Sequence, residues 1–136
     1  MARVLQMLGS QHVLVVHAED GLDEISIATP TFVAELKDGI ISTYTISPGQ
    51  FGIPLTPLDK LGVESAQESL KIILSVLEGQ PGPAFDIVAL NAGAAIYAAN
   101  LVVSLEAGVD KAREVLASGA GRKKLEELVA VSRSIG

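Results

Sequence analysis

The spacing of apolar residues along the chain is typical of strands before residue 47 and of helices after residue 62. Residues 3–8 are typical of the last turns of a helix that ends at Gly9, and residues 12–17 contain an apolar run of strand length. A helix that leads into such a strand is typical of a parallel sheet buried on both faces. We therefore expect a parallel strand at residues 12–17.

A hairpin is predicted next, because residues 32–46 alternate apolar and polar positions around Asp38 and Gly39, a pair that strongly favours a tight turn. Residues 47–62 fit neither the helical nor the strand pattern, and prolines and glycines interrupt them. This segment is therefore predicted to be a loop.

The second half of the chain has the spacing of helices. Ser65 and Glu68 form a predicted capping box, and the apolar positions that follow lie on one helical face until Gly79. Further helices are predicted at residues 84–103, 105–117 and 122–132.

Residues 84–103 form the only apolar segment long enough to raise the question of a membrane span. Asp86, Asn91 and Asn100 interrupt it, and its bulk is Ala and Gly instead of Leu and Ile, so insertion into a bilayer would be weakly driven. We expect a buried helix and no membrane partner. The two asparagines are expected to hydrogen-bond to a neighbouring helix or loop.

The composition supports one globular domain, since 49% of the 136 residues are apolar and 19% are charged. We predict a single, partial α/β domain, with the strand, acidic loop, hairpin and connection in residues 1–62 and helices in residues 63–136. The net charge of −6 and the scattered Lys and Arg residues argue against a nucleic-acid partner. The chain has no cysteine and no visible secretory signal, so we expect a cytoplasmic protein.

An acidic segment follows the predicted strand directly, with four carboxylates within six positions: Glu19, Asp20, Asp23 and Glu24. The end of such a strand is the ligand-binding edge of an α/β sheet. Clustered carboxylates repel one another, and solvent or a hard cation such as Mg²⁺ relieves this repulsion. The spacing does not match a calcium-binding EF-hand loop. The segment is therefore either an ordinary acidic turn at Asp20 and Gly21 or a magnesium site, and the spacing alone leaves both open.

Two histidines are the remaining candidates for chemistry. His17 ends the predicted strand and suits a general base or a ligand, although a histidine at a strand end is more often a hydrogen-bonded structural group. His12 has no partner that the sequence reveals. No nucleophile elbow, Walker loop or dinucleotide-binding fingerprint occurs, so the histidines alone predict no reaction.

Several motifs resemble those of one family, in the same order along the chain. Val-Leu-Val-Val-His17 followed by Asp20-Gly-Leu-Asp-Glu-Ile-Ser26 is similar to the stretch that identifies anthranilate phosphoribosyltransferases. Three later runs resemble that family as well: Val33-Ala-Glu-Leu-Lys-Asp-Gly39, Ser47-Pro-Gly-Gln-Phe-Gly52 and Leu90-Asn-Ala-Gly-Ala-Ala-Ile-Tyr97. The resemblance covers nearly the whole chain. It implies the C-terminal part of a phosphoribosyltransferase/nucleoside-phosphorylase-type α/β domain, with a short parallel strand and a β-hairpin followed by a helical second half.

The resemblance also implies a metal site. In that family an adjacent Asp-Glu pair binds Mg²⁺ at the phosphoribosyl diphosphate site, and this pair corresponds to Asp23 and Glu24. The implied cofactor is Mg²⁺, and the implied substrates are phosphoribosyl diphosphate and anthranilate, whose amine displaces diphosphate in tryptophan biosynthesis. The residue after His17, often Gly in the family, is Ala18 in this chain, a change that leaves the pair usable.

Parts of the family's active site have no counterpart in the chain, namely the Gly-rich diphosphate loop, a Lys-His-Gly-Asn stretch and an anthranilate-contacting Arg. The resemblance therefore implies a fragment that is inactive alone. Two alternatives remain: a non-catalytic half-enzyme or helper subunit that completes a site in trans, and a fold-related nucleoside phosphorylase. The Asp-Gly-Leu-Asp-Glu run favours the anthranilate enzymes over the phosphorylase.

We also expect a homo-oligomer, because strands and helices that the rest of such an enzyme would cover expose apolar surface. The family dimerises through an N-terminal helical domain without a counterpart here, so that interface is not expected in this chain.

Overall fold

A three-stranded antiparallel sheet occupies the first half of the computed structural model, which describes residues 1–135. A short helix precedes the sheet, and the elements are α1 (Ala2–Met7), β1 (His12–Ala18), β2 (Thr31–Lys37) and β3 (Ile40–Ile46). The predicted hairpin is confirmed, because Lys37 pairs with Ile40 across a two-residue turn. Asp38 and Gly39 form this turn with positive φ angles of 51° and 76°, which give it the twist of the strands it joins.

The α/β class is confirmed, but the pairing of β1 differs from the expectation of a parallel strand. β1 runs antiparallel to β2, from His12 opposite Lys37 to Ala18 opposite Thr31, and no strand among residues 1–135 pairs with it in parallel. A parallel neighbour needs a crossover connection, usually a helix, whereas residues 19–30 form a helix-free loop that returns the chain directly. The apolar run of β1 is half-buried along most of its length and is not covered on both faces.

The second half of the described chain contains four α-helices: α2 (Ala66–Leu77), α3 (Pro83–Ala98), α4 (Leu105–Ala117) and α5 (Ala120–Ile135). The prediction for α4 matches, and α5 extends beyond its predicted range at both ends. α3 ends before residue 103, because Asn100 has a left-handed φ of 57° that cannot continue a helix. Residues 47–62 form the expected connection, with short 3-10 turns at Pro48–Phe51 and Leu58–Leu61.

The start of α2 shows the predicted cap in a modified form. The Ser65 hydroxyl accepts a hydrogen bond from the Glu68 amide at 3.2 Å. The Glu68 carboxylate accepts a hydrogen bond from the Glu64 amide at 2.9 Å, one residue before the position that a capping box predicts. Both bonds satisfy amides at a helix end that would otherwise lack partners.

α3 is the central helix of the described chain. One hydrophobic cluster joins it to the sheet and to the residues after the acidic segment, and a second cluster joins it to α2 and α4. Gly93 permits the close crossing of α3 and α4, since a Cβ atom there would lie 2.5 Å from the Val109 backbone. The expected burial is therefore confirmed for α3, whereas residues 99–103 lie beyond the helix and are mostly exposed. None of the helices within residues 1–135 combines the length and the hydropathy that a membrane span requires.

Candidate metal-binding loop

The acidic segment forms a loop that one of its own carboxylates closes. Asp20 Oδ2 accepts a hydrogen bond from the Ser26 hydroxyl at 2.6 Å, and Asp20 Oδ1 accepts one from the Leu22 amide at 3.1 Å. The hydrogen bond from Ser26 lowers the pKa of Asp20, so a charged carboxylate makes the closure at neutral pH. Gly21 permits the turn with a φ of 89°. Asp20 thus serves the loop itself, in the way expected of an acidic turn.

Asp23 and Glu24 lie between the residues that close the loop, and both are exposed. Their carboxylates form no hydrogen bond or ion pair with other side chains in the part of the chain that the structure describes, whereas Asp20 uses both of its oxygens. Two adjacent carboxylates with free oxygens are therefore available to a ligand from solvent.

The donor set of this pair fits Mg²⁺, which takes oxygen ligands and is usually held by one or two carboxylates together with water and substrate phosphates. Within residues 1–135, no group of three or more Asp, Glu, His or Cys side chains is placed to hold a metal ion. Two carboxylates suit an open site that a phosphorylated substrate completes, and they do not suit a closed structural metal site. The assignment of Asp23 and Glu24 as magnesium ligands remains a prediction.

Asn91 connects α3 to the loop, which confirms that this side chain bonds to a neighbouring element. Its Oδ1 accepts a hydrogen bond from the Ile25 amide at 2.9 Å, and its Nδ2 donates to the Ile25 carbonyl at 2.9 Å. Ile25 directly follows Glu24 and is only 2% exposed. The sequence reveals no signal for this particular contact, because 66 residues separate its partners.

His17 lies on β1 opposite Phe32 of β2, and its side chain is exposed. It lines a surface cavity of about 510 Å³ that residues of all three strands form. Neither Asp23 nor Glu24 lines this cavity, and the His17 side chain forms no hydrogen bond or ion pair among residues 1–135. The expectation of a hydrogen-bonded structural group is therefore not met within the described residues.

A polar cluster that the sequence did not reveal lies at the opposite end of the sheet and is centred on Glu35 of β2. The Tyr97 hydroxyl donates to Glu35 Oε1 at 2.7 Å, and the Tyr44 hydroxyl donates to Glu35 Oε2 at 2.9 Å. His12 Nε2 lies 3.0 Å from Glu35 Oε1, and His12 Nδ1 lies 2.7 Å from Asn100 Oδ1. His12 thus has two partners, and Asn100 hydrogen-bonds to a strand instead of a helix or loop.

The hydrogen bonds explain how a carboxylate is accommodated in this buried position. Burial raises the pKa of Glu35, but hydrogen bonds from Tyr97, Tyr44 and His12 outweigh it and hold the pKa below its ordinary value. Burial and the hydrogen bond to Glu35 raise the pKa of both tyrosines, which stay neutral donors. One sequence signal was available, because Glu35 is two residues from Val33 and so lies on the same inward face of β2.

The comparison with known families matches residues 1–122 to the glycosyl transferase family, α/β domain. This match covers most of the chain. The chain belongs to the glycosyl transferase family. The family's α/β domain agrees with the combination of sheet and helices described above.

Individual relatives of the chain carry one name. The chain is 62% identical over 133 residues to the anthranilate phosphoribosyltransferase of Methylococcus capsulatus, covering 98% of this chain and 39% of the relative. It is 54% identical over 135 residues to the enzyme of that name from Chromobacterium violaceum, covering 99% of this chain and 40% of the relative. The chain therefore spans about two fifths of the length of these relatives.

Solved structures give the same result. The anthranilate phosphoribosyltransferase of Thermus thermophilus matches with a TM-score of 0.87 and 40% identity, covering 97% of this chain and 39% of that chain. The Saccharomyces cerevisiae enzyme in complex with PRPP and Mg matches with a TM-score of 0.80, covering 90% of this chain and 36% of that chain. Its 24% identity shows the shared fold alone. The resemblance to anthranilate phosphoribosyltransferases is confirmed, and the nucleoside phosphorylase alternative is not favoured.

Proposed function

We propose that this chain is a portion of an anthranilate phosphoribosyltransferase, in which Asp23 and Glu24 hold Mg²⁺ for the use of phosphoribosyl diphosphate. The observation that carries the proposal is the free, exposed pair of carboxylates on a loop that Asp20 closes. The pair belongs to the Asp-Gly-Leu-Asp-Glu run by which the family is recognised. The 62% identity to a relative of that name supports the substrate assignment.

In the proposed reaction, the amine of anthranilate displaces diphosphate from the ribose carbon of phosphoribosyl diphosphate. Asp23 and Glu24 provide anionic oxygens at the solvent-facing surface of the loop. A Mg²⁺ ion held by these two carboxylates would neutralise charge on the departing diphosphate. Asp20 keeps the loop closed through Ser26 and Leu22, so the pair does not have to be organised when the substrate arrives.

We propose that the 136-residue chain has no transferase activity alone. It spans about two fifths of its relatives' length and has no Lys-His-Gly-Asn stretch or Gly-rich diphosphate loop to position the two substrates. Incubation of the purified chain with anthranilate, phosphoribosyl diphosphate and Mg²⁺ is expected to give no product, and measurable turnover would contradict the proposal.

We also propose that residues 1–62 and residues 63–136 form one domain. Ile25 and Val33 from the first part share a hydrophobic cluster with Leu90 and Val109 from the second. A common core of this kind supports a single folding unit.

The proposed location is the cytoplasm, a reducing compartment, because the chain has no cysteine and therefore contains no disulfide bond. The proposed assembly is a homo-oligomer, because large apolar side chains such as Phe32 and Ile40 are exposed on the sheet.

The function is tested in the complete enzyme that contains this segment. Asp23→Asn and Glu24→Gln each remove an anionic oxygen ligand, so each variant is expected to need a higher Mg²⁺ concentration, by about tenfold, for half-maximal use of phosphoribosyl diphosphate. Glu19→Gln is the matched control, because it removes one charge from an exposed position of the same loop outside the pair. The same Mg²⁺ dependence in all three variants and the parent would reject the metal assignment.

A further inference from the structure

Two side chains hydrogen-bond to the backbone directly beside the proposed metal ligands, and the second of them belongs to a different element. The first is Asp20, which bonds to Leu22 on one side of the Asp23–Glu24 pair and to Ser26 on the other. The second is Asn91 of α3, which bonds to both backbone groups of Ile25. The pair is therefore enclosed between residues whose backbone positions are set by hydrogen bonds.

The side chain of Asn91 is itself held in one orientation. Its Nδ2 donates a further hydrogen bond to the Ile87 carbonyl, one helical turn earlier, at 3.0 Å. The amide group thus faces two carbonyl oxygens with its nitrogen and one backbone amide with its oxygen. Only one orientation of the amide satisfies all three contacts, because a flipped group would place donor against donor and acceptor against acceptor.

The contact with Asn91 coincides with the point where the chain passes from solvent to the core. Asp23 and Glu24 are exposed, whereas Ile25, Ser26 and Ile27 are 2%, 0% and 0% exposed. Ile25 packs in the main hydrophobic cluster, and its backbone amide and carbonyl would be buried without partners if Asn91 were absent. The hydrogen bonds of Asn91 therefore permit Ile25 to be buried immediately beside Glu24.

We propose that Asn91 is a positioning residue for the Asp23–Glu24 pair, acting through the Ile25 backbone without contact to the ion. This inference rests on the proposed function of the pair. Two adjacent carboxylates repel each other, so binding of a cation is favoured when the backbone that carries them is already fixed. Helix α3, through Asn91, supplies this fixation from the centre of the fold.

The test uses the ¹⁵N-labelled 136-residue chain with Mn²⁺ as a paramagnetic probe of magnesium sites. The measurement is the Mn²⁺ concentration at which paramagnetic broadening reduces the intensity of the Asp23 and Glu24 amide signals by half. Asn91→Ala is expected to raise this concentration about tenfold, the size of effect that groups supporting metal ligands usually have. The Asn91→Ala substitution should also speed hydrogen exchange at the Ile25 amide, which loses its acceptor. Asn91→Ser, which keeps a small polar group on the helix, replaces Asn91→Ala if the alanine variant does not fold.

The matched control is Tyr97→Phe, which removes a buried hydrogen bond from the same helix but from the cluster around Glu35. It is expected to lower stability and to leave the Mn²⁺ concentration unchanged. If Tyr97→Phe raises that concentration as much as Asn91→Ala, loosening of the fold explains the effect and the inference is wrong.

Two further outcomes separate the inference from the function on which it rests. If Asp23→Asn with Glu24→Gln abolishes the broadening while Asn91→Ala leaves it unchanged, the metal assignment stands and Asn91 is not a positioning residue. If the double variant is broadened like the parent, the metal assignment itself is wrong, and the role of Asn91 is rejected with it.

Discussion

Carboxylates at the two ends of the sheet illustrate opposite ways of placing negative charge. At one end, Asp23 and Glu24 are exposed and have no side-chain partner among residues 1–135. At the other end, Glu35 is buried and receives hydrogen bonds from two tyrosines and a histidine. A carboxylate whose oxygens are all occupied stabilises the fold, whereas one whose oxygens are free can bind a ligand. The hydrogen-bond partners of a carboxylate therefore indicate its role better than its identity as Asp or Glu does.

The largest expected effect comes from removing the buried carboxylate. Glu35→Ala leaves His12, Tyr44 and Tyr97 without their shared acceptor in a site where the His12 side chain is only 2% exposed. The free energy of unfolding is expected to fall by about 3–5 kcal/mol, because each buried donor left without an acceptor costs about 1–3 kcal/mol. Chemical denaturation of the variant and the parent at pH 7 measures this loss. A loss under about 1 kcal/mol would show that the cluster contributes no more than a surface contact.

Lowering the pH is expected to have an intermediate effect on the free energy of unfolding. Folding holds the pKa of Glu35 below its ordinary value of 4.5, so the charged form stabilises the fold above that pH. This stability is lost as the pH falls below 4.5 and through the lowered pKa, when the carboxylate takes up a proton in the folded state. The charged form of Asp20 also stabilises the fold, and this stability is likewise lost in acid, because the pKa of Asp20 is also lowered.

Denaturation curves between pH 7 and pH 3 test this origin of the acid sensitivity, a range that spans the ordinary carboxylate pKa of about 4. Glu35→Gln and Asp20→Asn should each make the free energy of unfolding less dependent on pH, and the double variant should do so further. An unchanged acid dependence in the double variant would assign it to other groups.

The smallest expected effect on stability is at the exposed pair. Asp23→Asn combined with Glu24→Gln is expected to change the free energy of unfolding by less than about 0.5 kcal/mol, because both side chains are exposed and neither carboxylate forms a hydrogen bond or ion pair among the described residues. The same denaturation experiment measures it. A loss as large as that of Glu35→Ala would remove the contrast between the two ends of the sheet and give the pair a structural role.

Local features of the fold were predictable from the sequence. The hairpin turn at Asp38 and Gly39, the beginning of α2 after Ser65 and the range of α4 depend on residues that are close along the chain. Turn chemistry and helix capping act over a few residues, so their signals are present in the sequence itself. The Asp23–Glu24 pair was found in the same way, as part of a contiguous motif.

Other features depended on residues far apart in the chain. The antiparallel pairing of β1 follows from how the loop at residues 19–30 returns the chain, which an apolar run alone does not specify. His12 and Asn100 are separated by 88 residues, and Glu35 and Tyr97 by 62. Nothing in the local pattern around His12 predicted either of its partners.

The sequence by itself determined the hairpin turn, the approximate positions of the helices, the family and the position of the acidic pair, since short-range interactions and contiguous motifs specify each of them. Only the tertiary structure decided which carboxylates are occupied and which are free. That distinction depends on packing: α3 brings Tyr97 to Glu35 and Asn91 to Ile25, and it leaves Asp23 and Glu24 facing solvent. Burial requires every polar group to find a partner, and the partners come from wherever the fold places them.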